Sequence, residues 1–119
     1  MIMIDRSILS EIRGLFAAAA VKGDEEAWAV CIRLIEEKGT DWQVLAAITE
    51  VTAELFRKNA VKGNRKLADA FQGMNDMAFD YAYQHRDEID YNMFRDNSRE
   101  WMYEAPDWTD MLPGKEKHS

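Results

Sequence analysis

The sequence of 119 residues is poor in the residue types that build disulfide scaffolds, metal centres and β-hairpins. Cys31 is the single cysteine, which excludes an internal disulfide. The two histidines, His85 and His118, form no zinc-binding motif with it or with nearby carboxylates. Proline occurs only at positions 106 and 113, and no segment alternates apolar with polar residues as a half-buried strand does. We therefore expect a helical protein that holds no metal ion.

Catalytic motifs are also missing. The sequence contains no nucleophile elbow, phosphate-binding loop or dinucleotide fingerprint. His85-Arg86-Asp87 matches part of a kinase catalytic loop, but the rest of that signature is absent and the chain is too short for the fold. Cys31 has apolar neighbours such as Trp28 and Leu34, which favours a core thiol over a nucleophile. We expect a protein without catalytic residues or a cofactor.

No apolar run is long enough to cross a bilayer. Residues 14–21 are apolar, but they number only eight. Asp5 and Glu11 interrupt the first residues, where a signal peptide needs an unbroken apolar core. A single thiol also fits a reducing compartment. We therefore expect a cytoplasmic protein that does not act at a membrane.

Four segments of the chain have the three- and four-residue apolar spacing of amphipathic helices. Glycines followed by aspartate or asparagine separate these segments, because glycine ends helices and a short polar side chain caps the next one. In particular, Asp24 is expected to cap the second helix. The predicted helices cover residues 5–21, 24–38, 41–60 and a fourth segment that ends near residue 86. This pattern predicts an all-α fold in which two αα-hairpins form a four-helix bundle or a short helical-repeat pair, with one or two short C-terminal helices.

The turns of the two predicted hairpins carry almost the same residues forty positions apart. Leu15-Phe16 and the stretch 20–24 are matched by Leu55-Phe56 and the stretch 60–64. The likeness indicates either a duplicated hairpin or two glycine-capped turns that converged on similar residues. Beyond the turn the copies differ, because acids follow the first glycine and bases follow the second.

The last third of the chain differs from the rest in charge and in aromatic content. The net charge is −7, of which residues 1–79 carry −2 and residues 80–119 carry −5. Rings alternate with these acids, whereas plain disordered acidic tails have few aromatic residues. We divide the chain into a helical core over 1–88, an acidic aromatic segment over 89–112 that packs on the core or on a partner, and a polar tail over 113–119.

The acidic aromatic segment predicts a surface that docks on a positively charged partner. Trp and Tyr are favoured interface anchors, and carboxylates steer the approach of a basic surface. Short, acidic, helical chains without motifs resemble in profile immunity proteins, phage-encoded antagonists of host defence and nucleic-acid mimics. That profile implies an inhibitor or adaptor of a nucleic-acid enzyme or nucleoprotein complex. The predicted partner-binding residues are Glu100, Trp101, Tyr103, Glu104, Asp107, Trp108 and Asp110.

The second turn offers an alternative site for an anion, a nucleotide or a nucleic acid. Five cations gather there around a helix N-terminus, where a phosphate or carboxylate is favoured. The predicted anion-binding residues are Arg57, Lys58, Lys62, Arg65 and Lys66. The competing interpretation is an exposed turn whose charges pair with Glu54, Asp69 and the acidic tail. A third hypothesis is a structural subunit of a homo-oligomer, because helical hairpins pair readily and seven methionines suit an adaptable contact.

Overall fold

The fold consists of helices joined by very short connections. The computed structural model describes residues 3–103, with only the main chain of Tyr103. The helices are α1 (Arg6–Lys22), α2 (Asp24–Lys38), α3 (Trp42–Lys62), α4 (Arg65–Gln84) and α5 (Tyr91–Asn97), followed by a 3₁₀ turn at Trp101–Tyr103. The prediction of an all-α protein with two αα-hairpins and a short C-terminal helix is confirmed. Within this described range, none of the helices combines the length and the apolar character needed to span a membrane.

Aspartates fix the starts of α1 and α3. The Asp5 carboxylate accepts the Ser7 N–H at 2.8 Å, and the Asp41 carboxylate accepts the Gln43 N–H at 2.9 Å. Hydrogen bonds from the Ser7 hydroxyl and main-chain N–H lower the pKa of the Asp5 carboxyl. The Asp5 N–H in turn donates to Gln43 Oε1 at 2.8 Å. This bond ties the start of α1 to the start of α3, so the two helices begin at the same end of the molecule.

The two hairpins pack side by side. α1 contacts α2 and α3, while α4 contacts α3 and α2. Phe16 of α1 also reaches Phe71 of α4 across the core, with the rings edge to face and their centroids 6.1 Å apart. The result is a four-helix core in which α1 lies beside α3 and α2 beside α4.

The repeated residues have matching burial in the two hairpins. Phe16 and Phe56 are both buried, with 0% and 2% of their surface exposed. Val21 and Val61, near the helix ends, are both exposed. The sequence likeness therefore corresponds to equivalent positions in the two hairpins.

The two glycine turns nevertheless differ in geometry. Gly23 has φ 135° and ψ 174°, and α2 begins at the next residue. Gly63 has the left-handed angles φ 84° and ψ 10°, and Asn64 precedes α4 as its N-cap residue. The expectation that Asp24 caps α2 is wrong, since Gly23 is the N-cap residue and Asp24 is the first residue of the helix.

The side chain of Asn59 distinguishes the second turn from the first. Asn59 Oδ1 accepts the Asn64 Nδ2–H at 3.2 Å, and the Asn59 carbonyl accepts the Asn64 N–H at 2.8 Å. The Gly63 N–H donates to the Ala60 carbonyl at 3.1 Å, and the two main-chain bonds together form a Schellman motif. The residue that corresponds to Asn59 in the first hairpin is Ala19, whose side chain has no amide group. The first turn therefore lacks this side-chain support and connects its helices through one glycine.

Candidate partner-binding and anion-binding sites

Aromatic rings attach α5 and the residues after it to the helical core. Phe94 of α5 is fully buried and meets Phe79 edge to face, with ring centroids 5.3 Å apart. Trp101, in the 3₁₀ turn, meets Phe56 of α3 in the same way at 5.1 Å. These rings of the C-terminal part therefore pack within the chain.

Residues 98–103, which we call the strap, are held through their main chain by two buried side chains. The Asn75 Nδ2–H donates to the Arg99 carbonyl at 2.9 Å, and the Trp101 N–H donates to Asn75 Oδ1 at 3.0 Å. The Arg99 N–H donates to Thr49 Oγ1 at 3.0 Å. Asn75 and Thr49 are both 0% exposed. Two side chains of the core thus bind three main-chain groups of the strap.

A groove of about 590 Å³ opens between the end of α4, α5 and the strap. Tyr83 lies at its rim with 55% of its surface exposed, and its ring centroid is 6.4 Å from that of Tyr91. The carboxylates of Asp80 and Glu100 belong to the same lining. We call it the acid-and-ring groove; it is lined by Phe79, Asp80, Tyr83, Tyr91, Arg95, Ser98 and Glu100.

Arginines of the chain already contact the two tyrosine rings. The Arg86 guanidinium carbon lies 4.1 Å from the centre of the Tyr83 ring, and that of Arg95 lies 5.9 Å from the centre of the Tyr91 ring. Both distances are within the range of a cation–π interaction. The rings of the groove are therefore placed where a guanidinium can stack on them.

The segment of the chain that forms the groove is acidic. Residues 76–103 carry a net charge of −4, and seven carboxylates contribute to it. Six of these are exposed, and Glu100 is half-buried. A net negative charge attracts cations and raises their local concentration. The carboxylates are Asp76, Asp80, Asp87, Glu88, Asp90, Asp96 and Glu100.

Three of the seven predicted partner-binding residues lie within the described part of the chain. Glu100 lines the groove, and Trp101 is half-buried with its Nε1–H donating to the Asp76 carboxylate at 3.0 Å. Tyr103 ends the 3₁₀ turn. The other four, Glu104, Asp107, Trp108 and Asp110, lie outside the described residues.

Of the seven residues that line the groove, only Glu100 is among the partner-binding residues predicted from the sequence. Asp80 and Tyr83 are three positions apart on α4, a spacing that places them on one helix face. That spacing is the signal that identifies them. The spacing indicates a groove only once α5 and the strap are known to lie against the same face of α4.

The predicted anion-binding residues surround carboxylates. Glu54 lies between Arg13 and Lys58, with nitrogen–oxygen distances of 3.0 and 3.3 Å. Partial burial raises the pKa of the Glu54 carboxyl, but hydrogen bonds and charges from Arg13 and Lys58 outweigh it and lower the pKa overall. Lys66 approaches the Asp24 carboxylate at 3.9 Å, which links the second turn to the first. An anion at this turn competes with both carboxylates.

A shallow groove of about 600 Å³ follows α3 beside this turn. Arg57, Lys58 and Lys62 line it together with Glu54 and Val61. Arg65 and Lys66 are exposed at the start of α4. The five predicted cations therefore lie in one region, but they do not converge on one point.

Neither metal ligands nor a reactive thiol were found in the part of the chain described. No group of three or more His, Cys, Asp or Glu residues among residues 3–103 is placed to hold a metal ion. Cys31 is 0% exposed, and burial raises the pKa of its thiol to about 12. A thiol in that state is a poor nucleophile.

No family model, no curated protein and no solved structure matches this chain. The class of this protein is therefore described from its fold and its surfaces. It is a small all-helical protein with an acidic, aromatic groove at the end of its second hairpin.

Proposed function

We propose that this chain is a non-catalytic binding module that docks through the acid-and-ring groove on a positively charged surface of a partner protein. The observation that carries the proposal is that Asp80 and Glu100 line the same groove as Tyr83 and Tyr91. An arginine or lysine of a partner pairs with a carboxylate and covers a ring at the same time.

The contacts made by Arg86 and Arg95 support this proposal. Within the chain, the two ring faces accept a guanidinium at 4.1 and 5.9 Å. Tyr83 is more than half exposed, so a large part of its ring remains accessible to a partner. Tyrosine is also a residue that interfaces favour.

The partner class follows from charge. Proteins that bind nucleic acids expose clustered lysine and arginine, because they neutralise phosphates. An acidic module that covers such a surface either inhibits the partner protein or recruits it. We therefore propose a nuclease or nucleoprotein complex as the partner, and inhibition or adaptation as the role.

The test measures binding of a fluorescein-labelled peptide of alternating arginine and glycine to the full chain. The double variant Asp80→Asn with Glu100→Gln removes the two carboxylates of the groove. The matched control, Glu25→Gln with Glu26→Gln, removes the same charge from the start of α2. Asp24 contacts Lys66 there, and the groove lies about 20 Å further along α4 at 1.5 Å per residue.

We expect the groove variant to bind the arginine peptide about tenfold more weakly, with a flatter dependence on salt. The control variant should differ from the wild type by less than about twofold, because it changes only the distant field. Equal losses of affinity in both variants would show that net charge alone causes the effect, and this result would overturn the proposal. Equal affinity for a glutamine-for-arginine peptide would overturn it too.

A further inference from the structure

The strap is bound to the core in the way that a protein binds a peptide. Side chains of α3 and α4 satisfy the Arg99 N–H, the Arg99 carbonyl and the Trp101 N–H. Peptide recognition commonly uses this division of roles, with main-chain hydrogen bonds for affinity and a pocket for specificity.

The polar groups that bind the strap are ordered by the core itself. The Asn75 Nδ2 group also donates to the Thr49 carbonyl at 2.9 Å and to Thr52 Oγ1 at 3.2 Å. The Thr49 hydroxyl donates to the Ala46 carbonyl at 2.7 Å, which leaves an oxygen lone pair for an incoming N–H. Asn75 and the two threonines, which we call the clamp, are thus preorganised by α3 and α4 without help from the strap.

The orientation of the Asn75 amide follows from its neighbours. Two carbonyl oxygens, which only accept, lie at Nδ2, and one main-chain N–H, which only donates, lies at Oδ1. An Asn side chain in this orientation offers one donor and one acceptor to the main chain of a peptide. It therefore recognises main-chain groups on both sides of one residue, here Glu100.

Trp101 packs beside the clamp, and we call its two contacting residues, Phe56 and Asp76, the indole pocket. The Trp101 ring meets Phe56 at 5.1 Å, and its Nε1–H donates to Asp76 at 3.0 Å. An indole satisfies both contacts, because it combines a large apolar ring with a hydrogen-bond donor. By contrast, Met102 is exposed, so its position imposes little selection.

We propose that the clamp and the indole pocket form a peptide-binding site for which the strap is the intramolecular ligand. In trans the site accepts a segment of a partner protein that carries a tryptophan at the position of Trp101. The strap and the partner segment compete for the site. Because tethering gives the strap an effective concentration of order 1 mM, a partner segment binds well only when the strap is weakened or outcompeted.

The test uses the full chain and a fluorescein-labelled peptide with the sequence of residues 97–103, NSREWMY. Trp101→Ala removes the intramolecular indole and leaves the clamp intact. We expect this variant to bind the peptide at least about tenfold more tightly than the wild type does, since a weaker strap competes less. The same peptide with alanine in place of tryptophan should show no binding to either protein.

Removing the clamp should abolish this gain. Adding Asn75→Leu to Trp101→Ala substitutes an apolar side chain of similar size, and binding should fall at least about tenfold. Adding Asn92→Leu instead makes the same substitution at an exposed position of α5 and should leave the affinity unchanged. Circular dichroism of each variant checks the helices. If the Asn75 variant loses them, Thr49→Val, which removes only the acceptor for the Arg99 N–H, takes its place.

Two results would overturn the proposal. One is no binding of the tryptophan peptide to the Trp101→Ala variant. The other is binding that persists unchanged when the clamp is removed from a folded protein. Either result can be distinguished from a failure of the acid-and-ring groove. Ser98 and Glu100 belong to both the strap and the groove, but the arginine-peptide assay uses proteins that keep Trp101 and the clamp unchanged.

Discussion

Two buried asparagines hold two of the places where the main chain departs from a regular helix. Asn59 is 7% exposed and supports the turn between α3 and α4, whereas Asn75 is 0% exposed and supports the strap. A buried amide without partners costs about 1–3 kcal/mol, so both positions are stable only because their hydrogen bonds are made. Polar residues inside this core therefore mark the irregular segments that the core must hold.

Cys31 gives a prediction about chemical reactivity. Its thiol has a pKa of about 12, so at pH 8 only about one molecule in ten thousand carries the reactive thiolate. We expect a disulfide reagent such as dithionitrobenzoate to leave the native protein unmodified and to react at once in concentrated urea. The measurement is the release of thionitrobenzoate with time. Rapid reaction of the native protein would show that the thiol is accessible.

Glu54 gives a prediction about the pH dependence of stability. Its pKa is lowered in the folded protein, so folding favours the carboxylate. This contribution is present above the unfolded pKa of about 4.3 and is lost as the pH falls through the folded pKa. Glu54→Gln should therefore lower the free energy of unfolding by about 0.5 kcal/mol at pH 7, because the pair is partly exposed, and by much less near pH 3.

Urea titrations at pH 7 and pH 3 measure this difference. Glu50→Gln is the matched control on the same helix, since within residues 3–103 Glu50 makes no ion pair. A destabilisation by Glu54→Gln that is equally large at both pH values would argue against the ion pairs with Arg13 and Lys58 as its cause.

At the scale of the elements, the two turns should respond differently to the same substitution. Gly63 has left-handed angles that asparagine tolerates, so Gly63→Asn should cost less than about 1 kcal/mol. Gly23 has a φ of 135° with an extended ψ, a region open almost only to glycine, so Gly23→Asn should cost about 1–3 kcal/mol. A Cβ atom added at either glycine would have no heavy atom of another residue within 4 Å beyond its chain neighbours, so the backbone alone sets the difference.

Denaturant midpoints with an unchanged m-value measure both costs on the same scale. Gly14→Asn, in the exposed middle of α1, provides a reference for ordinary helical angles. Equal midpoints for the Gly23 and Gly63 variants would contradict the two geometries.

The helices themselves could be predicted from the sequence because their signals are local. The pattern around Asp41 and Gly63 places a helix start and a helix end within a few residues of where they occur. Asp24 shows where this reasoning fails. The residue is a good cap by type, but a one-residue connection leaves no room for it outside the helix.

The candidate sites could be predicted only in part, because they are made by residues distant in sequence. Asn75 and Trp101 are 26 positions apart, and Thr49 and Arg99 are 50 apart. No periodicity connects such pairs. The sequence indicates that an acidic aromatic segment exists near Glu100, but only the packing of α5 and the strap shows which face of α4 it covers.

At the scale of the whole molecule, the charges of the second hairpin are separated along its length. The cations of the turn lie where α4 begins, with Lys66 beside Asp24, and the carboxylates of the acid-and-ring groove lie where α4 ends. The two surfaces are therefore about 20 Å apart, which is twice the Debye length of about 10 Å at 0.1 M salt. At moderate ionic strength each surface presents its own sign of charge to a partner.

The strap should open more readily than the four-helix core on which it lies. The Arg99 and Trp101 amides are bonded to single side chains instead of a helical carbonyl, whereas Val51, in the middle of α3, is fully buried. We expect the free energy of opening from native-state hydrogen exchange to be about 1–3 kcal/mol lower for the two strap amides than for Val51. Asn75→Leu should abolish the protection of the Trp101 amide and largely preserve that of Val51. Asn92→Leu, the exposed control, should preserve both. Equal opening free energies at Trp101 and Val51 would mean that the strap is an integral part of the core, and a segment that opens only by global unfolding cannot exchange with a partner peptide.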